Sequence, residues 1–282
     1  MEGIINTTWL KIAAKPMVML FLGLVLNGYG QVAPARSRPW TLVWSDEFNG
    51  RNGSAPDSRK WVLQTGGGGW GNNELQYYTT RPQNAEIENG NLVITAWKES
   101  YTGPDSVTRN YTSARLMTLG KFVQTYGRFE ARIKIPHGQG IWPTFWLVGS
   151  NIARVGWPSC GEIDIMENIG KEPSTVHGTI HGPGYVHKGI GSIFSLPSYE
   201  HFANQYHIFA LEWGPGSIRF YVDNNLYATR TPAGLPRSAP WVFNHPFYII
   251  LNVAVGGKYP GDPDYTTVFP QSMMVDYVRV YR

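Results

Sequence analysis

The sequence predicts an all-β protein, a β-jelly-roll sandwich of two antiparallel sheets, and three observations carry that prediction. From Trp40 onward, short runs alternate apolar and polar residues with a period of two, as strands do. Gly, Pro, Asn and Asp punctuate those runs at short intervals. No long stretch shows the periodicity of an amphipathic helix, and a parallel sheet would need crossover helices.

The elements follow in chain order. Leu92 to Ala96 is an apolar, partly β-branched run of strand length. Gly127-Arg128-Phe129-Glu130-Ala131-Arg132-Ile133-Lys134-Ile135 alternates strictly, placing Phe129, Ala131, Ile133 and Ile135 on a core face and charged residues on the other. His207 to Trp213, Tyr248 to Val255 and Met274 to Tyr281 read as further strands. Ile218 to Val222 and Leu226 to Thr229 flank Asp223-Asn224-Asn225, a short polar connection of hairpin type. No repeat, low-complexity tract or linker divides residues 40–282, which are therefore expected to form one domain.

The first residues are of another kind. Lys11 and Lys15 precede the apolar run Met17 to Leu26, and small and polar residues follow from Gly28 to Ala35. That order is the layout of a cleaved secretory signal, expected over residues 1–30, with 31–39 a short segment before the domain. The apolar run is too short to span a bilayer, which takes about 20 residues, so no membrane span is expected after cleavage. The mature chain is then expected to be secreted or periplasmic. Residues 1–39 hold four basic side chains and one acidic one, three of the four net positive charges of the chain. The remainder is close to neutral, so nothing suggests nucleic acid as a partner. Cys160 is the single cysteine, which excludes an internal disulfide and a cysteine-based zinc site.

The chemistry is concentrated in Cys160-Gly161-Glu162-Ile163-Asp164-Ile165-Met166-Glu167-Asn168. On a regular strand Glu162 and Asp164 share one face, and Glu167 falls on the other. One extra residue, a β-bulge near Ile165 or Met166, returns Glu167 to the face of the other two. A solvated polar face would carry the same residues. Crowded carboxylates, however, raise the pKa of at least one member, which is what a general acid needs. A pair of carboxylates is the usual equipment for cutting a glycosidic bond. Strand rise alone separates the two Glu backbones by more than ~10 Å, so their side chains must lean together.

At these residues the chain resembles glycoside hydrolase family 16, and within it the bacterial laminarinases, endo-β-1,3-glucanases marked by Glu-x-Asp-x-x-Glu on a bulged strand. The likeness extends to Gly156-Trp157-Pro158-Ser159-Cys160-Gly161, to Trp70-Gly71-Asn72-Asn73-Glu74-Leu75-Gln76-Tyr77-Tyr78-Thr79 and to Gly140-Ile141-Trp142-Pro143-Thr144-Phe145-Trp146. It also takes in Ser113-Ala114-Arg115, His177 to Gly184 and the closing run Val275 to Tyr281, so it covers nearly all of residues 40–282.

The resemblance implies a jelly roll with an open substrate cleft on its concave face and a β-1,3-glucan as substrate. It implies Glu162 as nucleophile, Glu167 as general acid and then base, and Asp164 as the residue that tunes the nucleophile, in a double displacement that retains configuration. Trp142 and Trp146, four apart on one strand, can both face the cleft and offer flat apolar surfaces to sugar rings; core packing would use them equally well. Asn72 and Arg115 match residues that grip sugar hydroxyls, and His181 one near the acid/base. Tyr259 stands in Gly256-Gly257-Lys258-Tyr259-Pro260-Gly261, where laminarinases commonly show Gly-Gly-Asn-Trp-Pro-Gly, which puts subsite preference in question. No cofactor is expected for catalysis. The resemblance also implies a structural calcium at Asp276, Gly90 and Glu47, away from the cleft.

His177 and His181 have the spacing of metal ligands but lack the helix and the Glu of His-Glu-x-x-His, so zinc is disfavoured. No Gly-x-Ser-x-Gly occurs, and the Gly66 to Gly69 run leads into Trp70 rather than Lys-Ser/Thr, which excludes the serine-hydrolase and phosphate-loop signatures. A noncatalytic glucan-binding protein on the same fold is the rival class, and hydrolases of mixed-linkage glucan or galactan are the rivals among enzymes. Binders of this type lack one or both catalytic Glu residues, whereas this chain keeps both. Nothing demands a partner protein, and a monomer is expected.

Overall fold

The structure, a computed structural model, describes residues 39–282. The leader expected over residues 1–30 lies outside the described residues, as does the segment 31–39 apart from Pro39.

Strand follows strand as the turn signals predict: β1 (Leu42–Asp46), β2 (Val62–Gln64), β3 (Gln76–Tyr78), β4 (Ala85–Glu88), β5 (Asn91–Thr102), β6 (Thr108–Ser113), β7 (Arg115–Met117), β8 (Gly127–Lys134) and β9 (Ile141–Gly149). After a single helical turn, α1 (Ile152–Val155), come β10 (Glu162–Glu167), β11 (Thr175–Gly182), β12 (Tyr185–Ser195), β13 (His207–Gly214), β14 (Ser217–Val222), β15 (Asn225–Arg230), β16 (Phe247–Val255) and β17 (Gln271–Tyr281). They assemble into two sheets. The smaller has the order β12-β11-β10-β9-β16-β7-β2, and the larger β15-β14-β13-β8-β17-β5-β6-β3, with β1 on β17 and β4 on β5. All pairings are antiparallel except β3 with β6.

The core lies between the sheets. Phe129, Ala131 and Ile133 of β8 are fully buried and belong to the same cluster as Ile163, Ile165 and Met166 of β10. At about 25 cal/mol per Å² of apolar surface removed from water, this cluster is the main stabiliser of a chain with no disulfide. The charged face of β8 is less open than alternation suggests. β8 is an inner strand between β13 and β17, and Glu130 is buried by the Arg128 guanidinium (2.8 Å) and the Tyr281 hydroxyl (3.2 Å). The β14–β15 connection is a hairpin whose turn is two residues, Asp223 and Asn224, both at positive φ; Asn225 already pairs with Val222. Among the described residues no helix is long and apolar enough to cross a membrane.

Candidate active site

Glu162, Asp164 and Glu167 project from the middle of the smaller sheet. β10 is preceded by Gly161, whose φ of +73° only glycine adopts easily and whose missing side chain leaves room for the Phe247 ring. The ladder with β9 runs Glu162 opposite Val148 and Asp164 opposite Trp146, then Met166 opposite Phe145 and Glu167 opposite Thr144. Two residues of β10 are therefore set against one of β9, and the same slip appears against β11 between Asp164 and Glu167. This is the bulge that parity demands. It lets the neighbours Ile165 and Met166 both enter the core, and all three carboxylates line one cleft of about 700 Å³.

Each carboxylate has its own partners. The Trp157 indole donates to Glu162 Oε2 at 2.9 Å, and the Trp142 indole donates to Glu167 Oε1 at 3.2 Å. His181, on β11 across from Glu162, points Nε2 between Asp164 Oδ2 (3.1 Å) and Glu162 Oε1 (3.8 Å). Its other nitrogen, Nδ1, lies 2.6 Å from the Val186 carbonyl, so it carries a proton and fixes the ring. Asp164 is nearly closed off from solvent at 3 % exposure.

These contacts order the ionisations. Burial pushes Glu162 up to about 8, Asp164 adds to the rise, and His181, the Trp157 N–H and Arg115 oppose it. Burial also lifts Glu167 well above the usual carboxylate range; Asp164 and Glu162 add to that, and His181 and the Trp142 N–H oppose it. For His181 burial works against the charge, but the Asp164 hydrogen bond and the charges of Asp164 and Glu162 outweigh it, raising the group to about 10. An imidazolium beside Glu162 makes that residue the easier of the two glutamates to ionise. Glu167, with fewer groups favouring its anion, is the glutamate that keeps its proton longer.

The remaining predicted side chains lie in the same cleft. Trp142 and Trp146 both line it from β9, as their spacing requires, and Asn72, Arg115, His181 and Tyr259 line it too. The Arg115 guanidinium stacks on Trp146 at 4.6 Å and on Trp70 at 5.0 Å, while Nε donates to Gln64 Oε1 at 2.6 Å. Tyr259 packs against Trp142 with ring centroids 5.1 Å apart, so in this chain a tyrosine and a tryptophan form one aromatic wall. His177 turns away from His181 toward Tyr259 and Glu172, and the two do not form a metal pair.

Sequence reading passed over Trp157, Glu74 and Asn252. Trp157 and Glu74 stand inside the motifs that carry the family likeness, yet nothing in their spacing says that one holds Glu162 and the other lines the cleft.

The three groups matched to calcium lie elsewhere. Glu47 is held by both Arg279 nitrogens Nε (3.1 Å) and Nη2 (2.8 Å), and Asp276 accepts from Arg132 at 2.8 Å. Gly90 sits at φ +74° in the β4–β5 turn. The carboxylates are hard oxygen donors of the kind calcium takes, but each is committed to a guanidinium, so in this arrangement the three do not form a cradle.

Comparison with known proteins agrees with this geometry. The family model "Glycosyl hydrolases family 16" matches residues 72–279. A beta-glucanase of Rhodothermus marinus is 43 % identical over 279 residues, covering 93 % of each chain. Glucan endo-1,3-beta-glucosidase A1 of Niallia circulans is 37 % identical over 86 % of this chain and 38 % of its own length. Among solved structures, the catalytic domain of an endo-1,3-beta-glucanase (laminarinase) from Thermotoga petrophila RKU-1 superposes with a TM-score of 0.81 at 48 % identity, covering 87 % of this chain and 99 % of that one.

Proposed function

The chain belongs to glycosyl hydrolase family 16, and on that premise we propose that this glycoside hydrolase is an exported endo-β-1,3-glucanase of laminarinase type that cuts laminarin-type glucans with retention of configuration. The observation that carries the reading is the asymmetric pair in one cleft: Glu162 beside an imidazolium, and Glu167 buried with a single indole N–H for company. The rival binding-protein reading gains nothing from such a pair, because sugar binding does not need two carboxylates set to ionise in sequence. Relatives named for endo-1,3-β-glucan cleavage give the linkage.

In the proposed reaction a Glu162 oxygen attacks the anomeric carbon while Glu167 gives its proton to the departing glycosidic oxygen. The bond from sugar to Glu162 forms as the bond to the leaving chain breaks. Water then gives a proton to Glu167 and its oxygen to the anomeric carbon, which frees Glu162 and restores the starting configuration. Asp164 and His181 hold a compensated charge pair next to the nucleophile. The rings of Trp142, Trp146 and Tyr259, which all line the cleft, supply apolar faces for the glucose units. No cofactor enters any step.

Export to a secreted or periplasmic location, with cleavage near residue 30, belongs to the same proposal and rests on the charged, apolar and small-residue order of the first residues. A monomer suffices, since the proposed catalytic groups come from one chain.

The test is reducing-sugar release from laminarin, mixed-linkage glucan, cellulose, agarose and carrageenan by the chain without its leader. Greatest activity on laminarin, with short oligosaccharide products, is the expected result. Activity confined to a galactan moves the substrate assignment to the cleft loops, and silence on all five restores the binding-protein reading. Proton NMR of the first-formed anomer reads retention directly.

A further inference from the structure

Glu74 is a buried acid to which the mechanism gives no task. It precedes β3, is 5 % exposed and lines the cleft. Its hydrogen bonding is dictated from a distance by groups that can only donate. The Trp146 indole gives its N–H to Asn252 Oδ1 at 2.9 Å. The Asn252 amide must then turn Nδ2 the other way, where it donates to the Tyr78 hydroxyl at 3.2 Å. Tyr78, fully buried and already accepting, passes its own proton to Glu74 Oε2 at 3.3 Å. A second arm reaches the same atom: the Val255 backbone N–H occupies Gln76 Oε1 at 2.8 Å, so Gln76 offers Nε2 to Glu74 at 2.7 Å. Both arms end on one oxygen that has to accept.

We propose that Glu74 is a positioning residue for glucan binding, the acceptor that, through Tyr78 and Asn252, fixes the Trp146 indole and with it the stacked Arg115 at the sugar-holding wall of the cleft. The inference rests on the glucanase reading above. The backbone of the same segment is tied to the loop that carries Tyr259, by Leu75 N–H to the Val255 carbonyl and Lys258 N–H to the Asn72 carbonyl, both 2.8 Å. The Glu74 side chain therefore braces the Trp146 side of the cleft, while the backbone of its neighbours ties the Tyr259 loop. Tyr78 from β3 and Arg115 from β7 are the titratable and charged groups that face it; burial pushes it up to about 7, with Gln76, Arg115 and Tyr78 opposing. In either protonation state Oε2 has to stay an acceptor, which places any proton on Oε1.

The experiment compares wild type, Glu74→Gln, Glu74→Leu and Tyr78→Phe by KM, kcat and thermal midpoint, on whichever of the five polymers the wild type cleaves. A lost buried hydrogen bond that acts only in sugar binding raises KM by about tenfold and leaves kcat within about twofold. That is the result expected for Glu74→Leu and Tyr78→Phe, while Glu74→Gln, which keeps an acceptor, stays close to wild type. A lowered midpoint with unchanged KM shows a merely structural acid and overturns the proposal; so does an equal rise in KM for Glu74→Gln and Glu74→Leu. If Glu74→Leu does not fold, Tyr78→Phe decides, since it removes one hydroxyl. Wild-type silence on all polymers defeats the glucanase reading alone, and crystal structures of wild type and Tyr78→Phe then decide the inference: an unmoved Trp146 indole overturns it.

Discussion

Two glutamates five positions apart differ because of what touches them. Glu162 has an indole N–H and an imidazolium nearby, whereas Glu167 has an indole N–H and deeper burial. The roles are separable by substitution. Glu162→Gln is expected to keep the fold and glucan binding and to lose hydrolysis by at least about a thousandfold, checked by calorimetry and reducing-sugar release. Glu167→Ala is expected to spare the first step on an aryl glucoside with a good leaving group, and added azide should restore turnover and yield a glycosyl azide, seen by mass spectrometry. Asp164 supplies a negative charge that raises both glutamates. Asp164→Asn removes it, so the pKa of the acid falls and the alkaline limb of kcat/KM against pH moves to lower pH, by about one unit for each ~1.4 kcal/mol of lost repulsion. An unmoved limb means that Asp164 does not tune the pair.

At the scale of the elements, parity decides what the sequence makes legible. Along Glu162 to Glu167 it leaves one residue too many, so the position of the bulge follows from the order of residues alone. The same parity places Trp142 and Trp146 together on the cleft face of β9. Trp157 and Glu74 escaped because their partners, Glu162 Oε2 and the Tyr78 hydroxyl, are chosen by tertiary packing, which local periodicity does not encode. β11 carries a further constraint of this kind. His177, Thr179 and His181 face the cleft side, and Gly178 faces the core, where an added Cβ would stand 2.2 Å from the Tyr227 hydroxyl and 2.8 Å from Phe220 Cδ1. Gly178→Ala is therefore expected to destabilise the fold by about 1–3 kcal/mol of overpacking. Thermal melts check this, and kcat well below the lowered midpoint should stay near wild type because the cleft face is untouched.

Across the whole molecule, strand identity and core followed from alternation, since a run such as Phe129 to Ile135 has one face that must be dry. Long-range ion pairs did not. Arg279 and Arg132 sit on separate strands and meet Glu47 and Asp276 only after the larger sheet assembles. With both carboxylates committed to guanidiniums, adding calcium to chelator-treated protein is expected to leave the thermal midpoint unchanged; a rise of a few degrees that Glu47→Gln abolishes would show that the ion displaces both arginines. A midpoint indifferent to calcium and chelator leaves the two carboxylates with their arginines. The indole tethers of the cleft have a consequence of a different sort. Because Trp142 and Trp157 each donate directly to a titrating glutamate, the emission of these rings is coupled to proton occupancy. The intensity of intrinsic fluorescence against pH, with Trp142→Phe and Trp157→Phe as subtractions, should therefore resolve the two ionisations one at a time in the resting enzyme, with no sugar added and no turnover to follow.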